Sequence, residues 1–272
     1  MIAENKYETV PAEHDDFPLR LRRYDGAAKF MMHWHGHMEL LYFIKGGASV
    51  YCGGEEILTQ DGDLITVNPN ELHRGDYRET GVEYLCVMLP PHFFEWCGED
   101  ERYILERRVK NDERIKELFH EIFESFEKKA DGYRYESLGT AYKLVSYLAQ
   151  NYTAARLGRN EYEERNSRLE NFNNVIEYIG KHYSEQLTTP VAAQMVHISE
   201  CYFCHLFRQH MGVNFTTYLN QVRVHKATAL LQNTKLSITQ IASETGFNDV
   251  NYFSRVFKKC IGISPRKYRE KQ

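Results

Sequence analysis

Near the C-terminus, Val250, Asn251, Ser254, Arg255 and Lys258 alternate with Phe253, Val256 and Phe257 at spacings that give one helix two opposite faces. The apolar face must turn inward, which leaves the other five residues outward. Their chemistry is that of a base-edge reader. Arg255 can grip guanine O6 and N7 with two hydrogen bonds, Asn251 can do the same at adenine N6 and N7, and Val250 can meet a thymine methyl. Fifty residues earlier the pattern recurs, with Phe203, Leu206 and Phe207 inward and Glu200, Cys201, Cys204, His205 and Arg208 outward. This set is the weaker reader, because no arginine stands at its tip and Glu200, which can accept from cytosine N4, repels phosphate. Arg208 and Lys258 suit backbone phosphates, which position a protein without specifying sequence. Cys201 and Cys204 also form a Cys-x-x-Cys pair near a helix start, where a thiol pKa falls. No second cysteine pair lies close enough to complete a zinc site, and the spacing is simply that of one helical face, so the thiols are read as neutral contact residues.

The elements that position these side chains are duplicated. Residues 187–218 return as residues 236–268, and from Tyr202 onward a constant offset of fifty pairs Tyr202 with Tyr252, Phe207 with Phe257, Gly212 with Gly262 and Tyr218 with Tyr268. Each copy reads as two short helices joined by a turn, with Ser199 or Asp249 capping the second helix and Gly246 closing the first helix of the later copy. That is a helix-turn-helix pattern, whose second helix enters a DNA major groove. Packing alone would equally suit a protein-binding repeat, so charge decides. Residues 172–272 carry 12 Lys and Arg against 6 Asp and Glu, a net of +6; the whole chain has 34 against 38, which leaves 22 against 32, or −10, for residues 1–171. A basic third on an acidic chain fits a phosphate-binding surface.

The segment 241–269, IASETGFNDVNYFSRVFKKCIGISPRKYR, and the intervening 218–231, YLNQVRVHKATALL, with Arg223 and Ala227 in place, resemble the AraC/XylS family of transcription regulators. The resemblance covers about a hundred residues. It implies one rigid unit of two helix-turn-helix motifs that meet successive major grooves of double-stranded DNA. The family's base-facing positions fall on Cys201, Cys204 and His205 in the first motif and on Val250, Asn251, Ser254 and Arg255 in the second.

The first hundred residues have a different grammar. Short β-branched and aromatic runs at 39–44, 48–51, 56–59, 64–67 and 84–89 alternate with turn residues such as Lys45-Gly46-Gly47 and Asn68-Pro69-Asn70, which predicts a β-sandwich or barrel. His33-Trp34-His35, Glu39 and Gly46, followed by Gly62, Pro69 and His73, resemble the two cupin motifs, with Asn70 and Leu72 departing from the usual glycine-containing form. The resemblance makes His33, His35, Glu39 and His73 the four positions at which metal-dependent cupins hold a divalent ion, whereas sensor cupins attached to AraC-type domains bind an organic ligand without one. Both uses, and a third in which the histidines only begin a strand, stay open. No cofactor is required for the sensor reading. The pocket residues expected are Arg20, Arg22, His33, Trp34, His35, Glu39, Tyr42, Tyr51 and His73. Aromatic faces stack on sugar C–H groups while charged side chains satisfy hydroxyls, so a carbohydrate is the leading effector and a carboxylate-bearing metabolite the next.

The fold class is therefore α+β in two domains, a cupin barrel followed by helices and an all-α double helix-turn-helix. Residues 1–105 form the sensor and 171–272 the DNA-binding domain. Between them, residues 106–152 carry a strong apolar stripe (Ile115, Leu118, Phe119, Ile122, Phe123, Phe126) and a second helix at 135–152, taken as the dimerisation segment, with capping of the barrel as the alternative. Residues 153–170 are polar and lack apolar periodicity, which reads as a flexible linker. The first six residues are polar, Cys52, Cys86, Cys97 and Cys260 are scattered, and no apolar run nears the ~20 residues of a membrane span. A cytoplasmic protein with reduced thiols and no membrane partner follows. The expected mechanism is that an effector changes how the N-terminal arm and stripe helices pack, and so where a homodimer places its DNA-binding units, with RNA polymerase a partner if the protein activates. A metal-dependent cupin enzyme or metal sensor fused to DNA-binding helices is the alternative, but no nucleophile or Ser–His–Asp arrangement supports catalysis.

Overall fold

The computed structural model describes residues 6–7, 17–26, 29–76, 81–91, 93 and 101–270; Cys97 and most of the polar N-terminal residues lie outside them. The chain divides into two compact units, Tyr7–Glu170 and a second built from Asn171–Gln272.

In the first unit the strands are β1 (Lys6–Tyr7), β2 (Arg20–Gly26), β3 (Lys29–Trp34), β4 (Met38–Lys45), β5 (Ser49–Cys52), β6 (Glu55–Leu58), β7 (Asp63–Val67), β8 (His73–Asp76), β9 (Val82–Leu89), β10 (Glu101–Leu105), β11 (Arg108–Lys110) and β12 (Thr153–Gly158). They form a sheet of order β1-β3-β8-β5-β6, a second of order β11-β7-β4-β9-β2, and a separate β10-β12 pair. Strand β4 shows how the layers are sorted. Its Leu41 and Phe43 join Val50, Ile65, Tyr84, Cys86 and Met88 in one core, while Met38, Leu40 and Tyr42 join another. Period-two alternation sends neighbouring side chains to opposite faces, and here both faces are covered. Gly46 is required where β4 turns, because a Cβ there would stand 2.4 Å from the backbone carbon of Gln60.

The second core is closed by helices α1 (Glu113–Lys128) and α2 (Tyr133–Asn151). Asp112 begins α1 by accepting from the Ile115 N–H at 3.0 Å, and it also accepts from the hydroxyls of Tyr147 and Tyr152 at 2.9 and 2.6 Å. The α1 stripe of Ile115, Leu118, Phe119, Ile122 and Phe123 is buried against the strands, with Phe119 5.2 Å from the Tyr42 ring. These five residues close their own unit, which is the capping alternative, while Phe126 of the same stripe is half-buried.

The linker reading of 153–170 is corrected. Residues 153–158 pair with β10, and Arg159–His182 is one helix, α3. Apolar periodicity is missing because β12 buries only alternate residues by half and because the start of α3 is a solvated face crossed by Arg159–Glu163 and Arg168–Glu164 ion pairs.

The second unit holds α4 (Thr189–Met195), α5 (Glu200–Met211), α6 (Phe215–Asn233), α7 (Ile238–Glu244), α8 (Val250–Ile261) and α9 (Pro265–Glu270). Ser199 caps α5 by accepting from Tyr202 N, and Asp249 caps α8 by accepting from Tyr252 N. Phe203 and Phe207 of α5, like Phe253 and Phe257 of α8, are fully buried. Arg223 of α6 donates to the carbonyls of Tyr183 and Glu185 and lies over the Phe247 ring. Beside it, Gly246 adopts φ +82°, and a Cβ there would meet Ser184 backbone atoms at 2.8 Å. Among the described residues no helix is long and apolar enough to cross a membrane.

Gly246→Ala should therefore suffer both a left-handed backbone penalty and a clash with Ser184, lowering stability by more than about 1 kcal/mol. Urea unfolding followed by circular dichroism checks this; an unchanged midpoint would contradict the close approach.

Candidate effector site and nucleic-acid interface

Strands β3, β4 and β8 bring four distant side chains together. His33 and His73 are directly opposite in the β3–β8 register, with ring centroids 4.0 Å apart, and His35 lies 4.9 Å from His73. Glu39 reaches the same point from β4, its Oε2 3.0 Å from His73 Nε2 and 3.5 Å from His35 Nε2. The donor atoms of His33, His35, Glu39 and His73 all lie within 4.8 Å of one another, and His35 and His73 are almost fully buried.

Hydrogen bonds behind the rings decide what faces inward. His73 Nδ1 is 2.8 Å from the Glu71 carbonyl and His35 Nδ1 is 3.2 Å from the His37 carbonyl. A carbonyl only accepts, so each Nδ1 carries a hydrogen and Nε2 is the ring atom turned toward the Glu39 carboxylate. Burial pushes the Glu39 carboxyl upward, but His35 and His73 hold it well below the usual carboxylate value. The contact is electrostatic and not an aligned hydrogen bond, since His35 Nε2 and Glu39 Oε2 are buried without one of acceptable geometry. Acceptors converging in this way are stable only with positive charge among them, either an imidazolium proton or a bound cation. Three imidazoles and one carboxylate suit zinc, iron, manganese or nickel. His33, His35, Glu39 and His73 would hold such an ion through one donor atom each.

Other expected pocket residues divide by strand parity. Arg20 pairs with Met88 and Arg22 with Cys86, while Met88 also pairs with Glu39 and Cys86 with Leu41; directly paired residues share a face, so both arginines stand on the Glu39 face. Cys86 Sγ itself donates to Glu39 Oε1 at 3.1 Å. Tyr42 faces the opposite way, into the helical core against Phe119. Tyr51 pairs with Arg74 and shares its face, whereas His73 pairs with Cys52. The Arg74 guanidinium covers the Tyr51 ring at 5.1 Å, and burial pushes the Tyr51 hydroxyl up to about 12. Trp34, between His33 and His35, is 2% exposed and by alternation stands on the other side of the strand. Tyr42, Tyr51 and Trp34 are thus corrected from pocket walls to packing residues.

Behind His73 lies a buried ion network that no motif announces. Glu71, 6% exposed, accepts from Arg107 Nη1, from the Asn68 N–H at 3.1 Å and from Arg165 Nη2 at 2.7 Å. Arg107 also donates to the Thr66 carbonyl at 2.9 Å. Arg165 lies on α3, 94 residues further along. Asn70, which takes the turn's left-handed conformation at φ +63°, donates its N–H to the His35 carbonyl at 2.9 Å. The loop between β7 and β8 therefore holds both His35 and His73 and is itself held by Arg107 and Arg165.

In the second unit, Glu200, Cys201, Cys204, His205 and Arg208 are exposed on α5, and Asn251, Arg255 and Lys258 on α8. Ser254 is half-buried, and Val250 is half-buried against the Phe253 core. Arg255 lies 5.9 Å from the Tyr252 ring, and the Tyr252 hydroxyl accepts from Asn220 at 2.8 Å, which braces the outward face of α8.

Residues 19–145 match the AraC-like ligand binding domain, and residues 192–271 match a helix-turn-helix domain. This chain belongs to the AraC family of transcriptional regulators. The arabinose operon regulatory protein of Salmonella typhimurium is 27% identical over 83% of this chain and 81% of its own length. The Msm operon regulatory protein of Streptococcus mutans is 33% identical over 49% of this chain and 46% of its own length. A solved structure, the C-terminal domain of AraT, a response regulator from Geobacillus stearothermophilus, is 35% identical over 37% of this chain and 84% of that one, with a TM-score of 0.36. As in other AraC-family members, the chain is a DNA-binding regulator with a ligand-binding domain and not an enzyme.

The Glu71 network makes a pH prediction. Burial pushes its carboxyl up, but Arg107, Arg165 and the Asn68 N–H hold it below the usual value. A lowered folded pKa means stabilisation that is complete above the unfolded value, about 4.3, and lost as pH falls through the folded one. Glu71→Gln in this AraC-family regulator should lower stability at pH 7 by about 3 kcal/mol and show a shallower further loss on acidification than wild type. Urea unfolding at pH 7 and below pH 4 tests this; parallel pH profiles would contradict it.

Proposed function

We propose that this regulator senses a small oxygen-rich metabolite, a sugar first, at a divalent-metal centre formed by His33, His35, Glu39 and His73, and reads DNA chiefly through α8. The observation that carries the sensor half is the convergence of two oriented Nε2 atoms on a buried carboxylate oxygen. When bound, the metal would supply a Lewis-acid anchor for a hydroxyl or carboxylate oxygen. Arg20 and Arg22, on the same sheet face as Glu39, would orient the remaining oxygens of the effector. The arabinose operon relative supports a sugar, and the two arginines keep a carboxylate-bearing metabolite as the next class. Tyr42, Tyr51 and Trp34 offer no stacking platform, so recognition rests on hydrogen bonds and charge.

Transmission runs through Glu71. Its carbonyl orients His73 and its carboxylate holds Arg165 of α3, whose later residues Phe172, Val175, Ile176 and Ile179 are buried in the second unit. An effector can shift this arrangement only by binding one state better than another. Homodimerisation, which raises effective concentration on a repeated operator, belongs to the proposal. The protein would act in the cytoplasm, and contact RNA polymerase where its operator position makes it an activator.

Two experiments test this reading. Chelator-treated protein titrated with Zn²⁺ should bind about one equivalent, the His33→Ala/His73→Ala double variant none, with a rise in melting temperature for wild type alone. Absence of stoichiometric uptake by the wild-type protein would overturn the metal centre. On duplexes selected from a random pool, Arg255→Ala should weaken binding by about 1–3 kcal/mol and relax one base position, whereas Lys258→Ala should weaken all sequences alike and reduce the salt slope by about one. Unaltered sequence preference in Arg255→Ala would sink the assignment of α8 as principal reader.

A further inference from the structure

We infer that the cavity between α2 and the β10–β12 pair is a second small-molecule site, separate from the histidine cluster, and that it takes an aromatic carboxylate. The cavity measures about 240 Å³, and on the order of 150 Å³ of apolar space suffices for a benzene ring. Its inner wall is apolar, made by Met38 of β4, Leu105 of β10 and Val145 of α2. Tyr103 and Tyr162 add ring faces from β10 and α3. Aromatic pairs gain from offset or edge contacts beyond area alone, so a planar ring is the ligand body this wall favours.

Charge then selects the head group. Arg102 and Arg156 line the cavity against a single carboxylate, that of Glu101. Arg156 is exposed and rests over the Tyr103 ring at 5.6 Å, where a guanidinium stays available as a planar donor to a carboxylate. Ser146 and Gln150 of α2, joined by a 3.2 Å hydrogen bond from Gln150 Nε2 to Ser146 Oγ, add neutral polar groups to the lining. A ring buried on Met38 and Leu105 with its carboxylate at Arg156 satisfies both ends of the cavity; a neutral or cationic ligand would satisfy only one.

The position makes such a site consequential. Met38 precedes Glu39 on β4 and faces the other side of the sheet, so a ligand pressed on Met38 bears on the strand that carries the cluster carboxylate. Tyr162 lies three residues before Arg165, one helical turn from the residue that Glu71 holds. The site needs no metal, and its failure is distinguishable from failure of the sensor reading.

The test is isothermal titration of the full chain with 4-phenylbutyrate as probe. Saturable binding is expected in wild type and, undiminished, in His33→Ala/His73→Ala. Ala149→Phe, which fills the cavity from a half-exposed α2 position, should weaken binding by more than about tenfold. Gln150→Glu, an exposed change that adds a like charge at the edge, and Arg156→Gln should each weaken 4-phenylbutyrate several-fold while leaving the weaker binding of neutral 4-phenylbutan-1-ol unaltered. No saturable binding by the wild-type protein at millimolar probe would overturn the inference. Loss of binding in the double histidine variant would do so as well, by putting the probe in the barrel, and so would equal binding by wild type, Gln150→Glu and Arg156→Gln.

Discussion

The carboxylate of Glu71 sits where the β7–β8 loop, the β10–β11 connection and α3 come together, and its two oxygens are shared between Arg107 and Arg165. Taking a carboxylate and a guanidinium out of water is costly, and the cost is recovered only when their hydrogen bonds are satisfied. Here Arg107 is also bound to the Thr66 carbonyl, and Glu71 to the Asn68 N–H. The loop is consequently over-determined. Because the carbonyl of the same Glu71 accepts from His73, the network also selects which imidazole nitrogen faces the cluster. Displacing α3 would break the Arg165 bond and leave the Glu71 carboxylate short of one partner inside the protein.

Strand parity does the rest of the sorting. On β4 it divides Glu39, which belongs to the cluster, from Met38 and Tyr42, which belong to the helical core. On β5 and β8 it divides Cys52 and His73 from Tyr51 and Arg74. The α1 stripe can then close the helical core, capped by an Asp112 that also ties Tyr147 and Tyr152 to the helix start. The same alternation leaves the two candidate binding places on opposite sides of one strand.

What was legible from sequence follows the range of the forces involved. The duplicated helix-turn-helix unit announces itself because its caps, glycines and Phe pairs are local and repeated: Ser199, Asp249, Gly246, Phe207 and Phe257 all occupy the roles their spacing implies. The histidine cluster was equally readable, since His33, His35 and Glu39 lie within seven residues and His73 follows in a recognisable turn. Residue type says nothing of strand register, so sequence alone does not tell that Tyr42, Tyr51 and Trp34 turn away from the cluster. Strands β2, β8 and β12 carry no apolar run in sequence because their pairing is made by backbone and not by apolar side chains. The Glu71–Arg107–Arg165 network was invisible: charged residues in a polar stretch look solvated until the fold buries them, and Arg165 lay in what read as a linker.

In the proposed mechanism, occupancy of the histidine cluster is felt along α3 through the Glu71–Arg165 bond. The direct measurement is duplex affinity of the full chain with and without Zn²⁺, for wild type and for Arg165→Met. Zinc should change wild-type affinity by about fivefold or more, and Arg165→Met should take up zinc normally while losing most of that response. An equal zinc response in the two proteins would contradict the account.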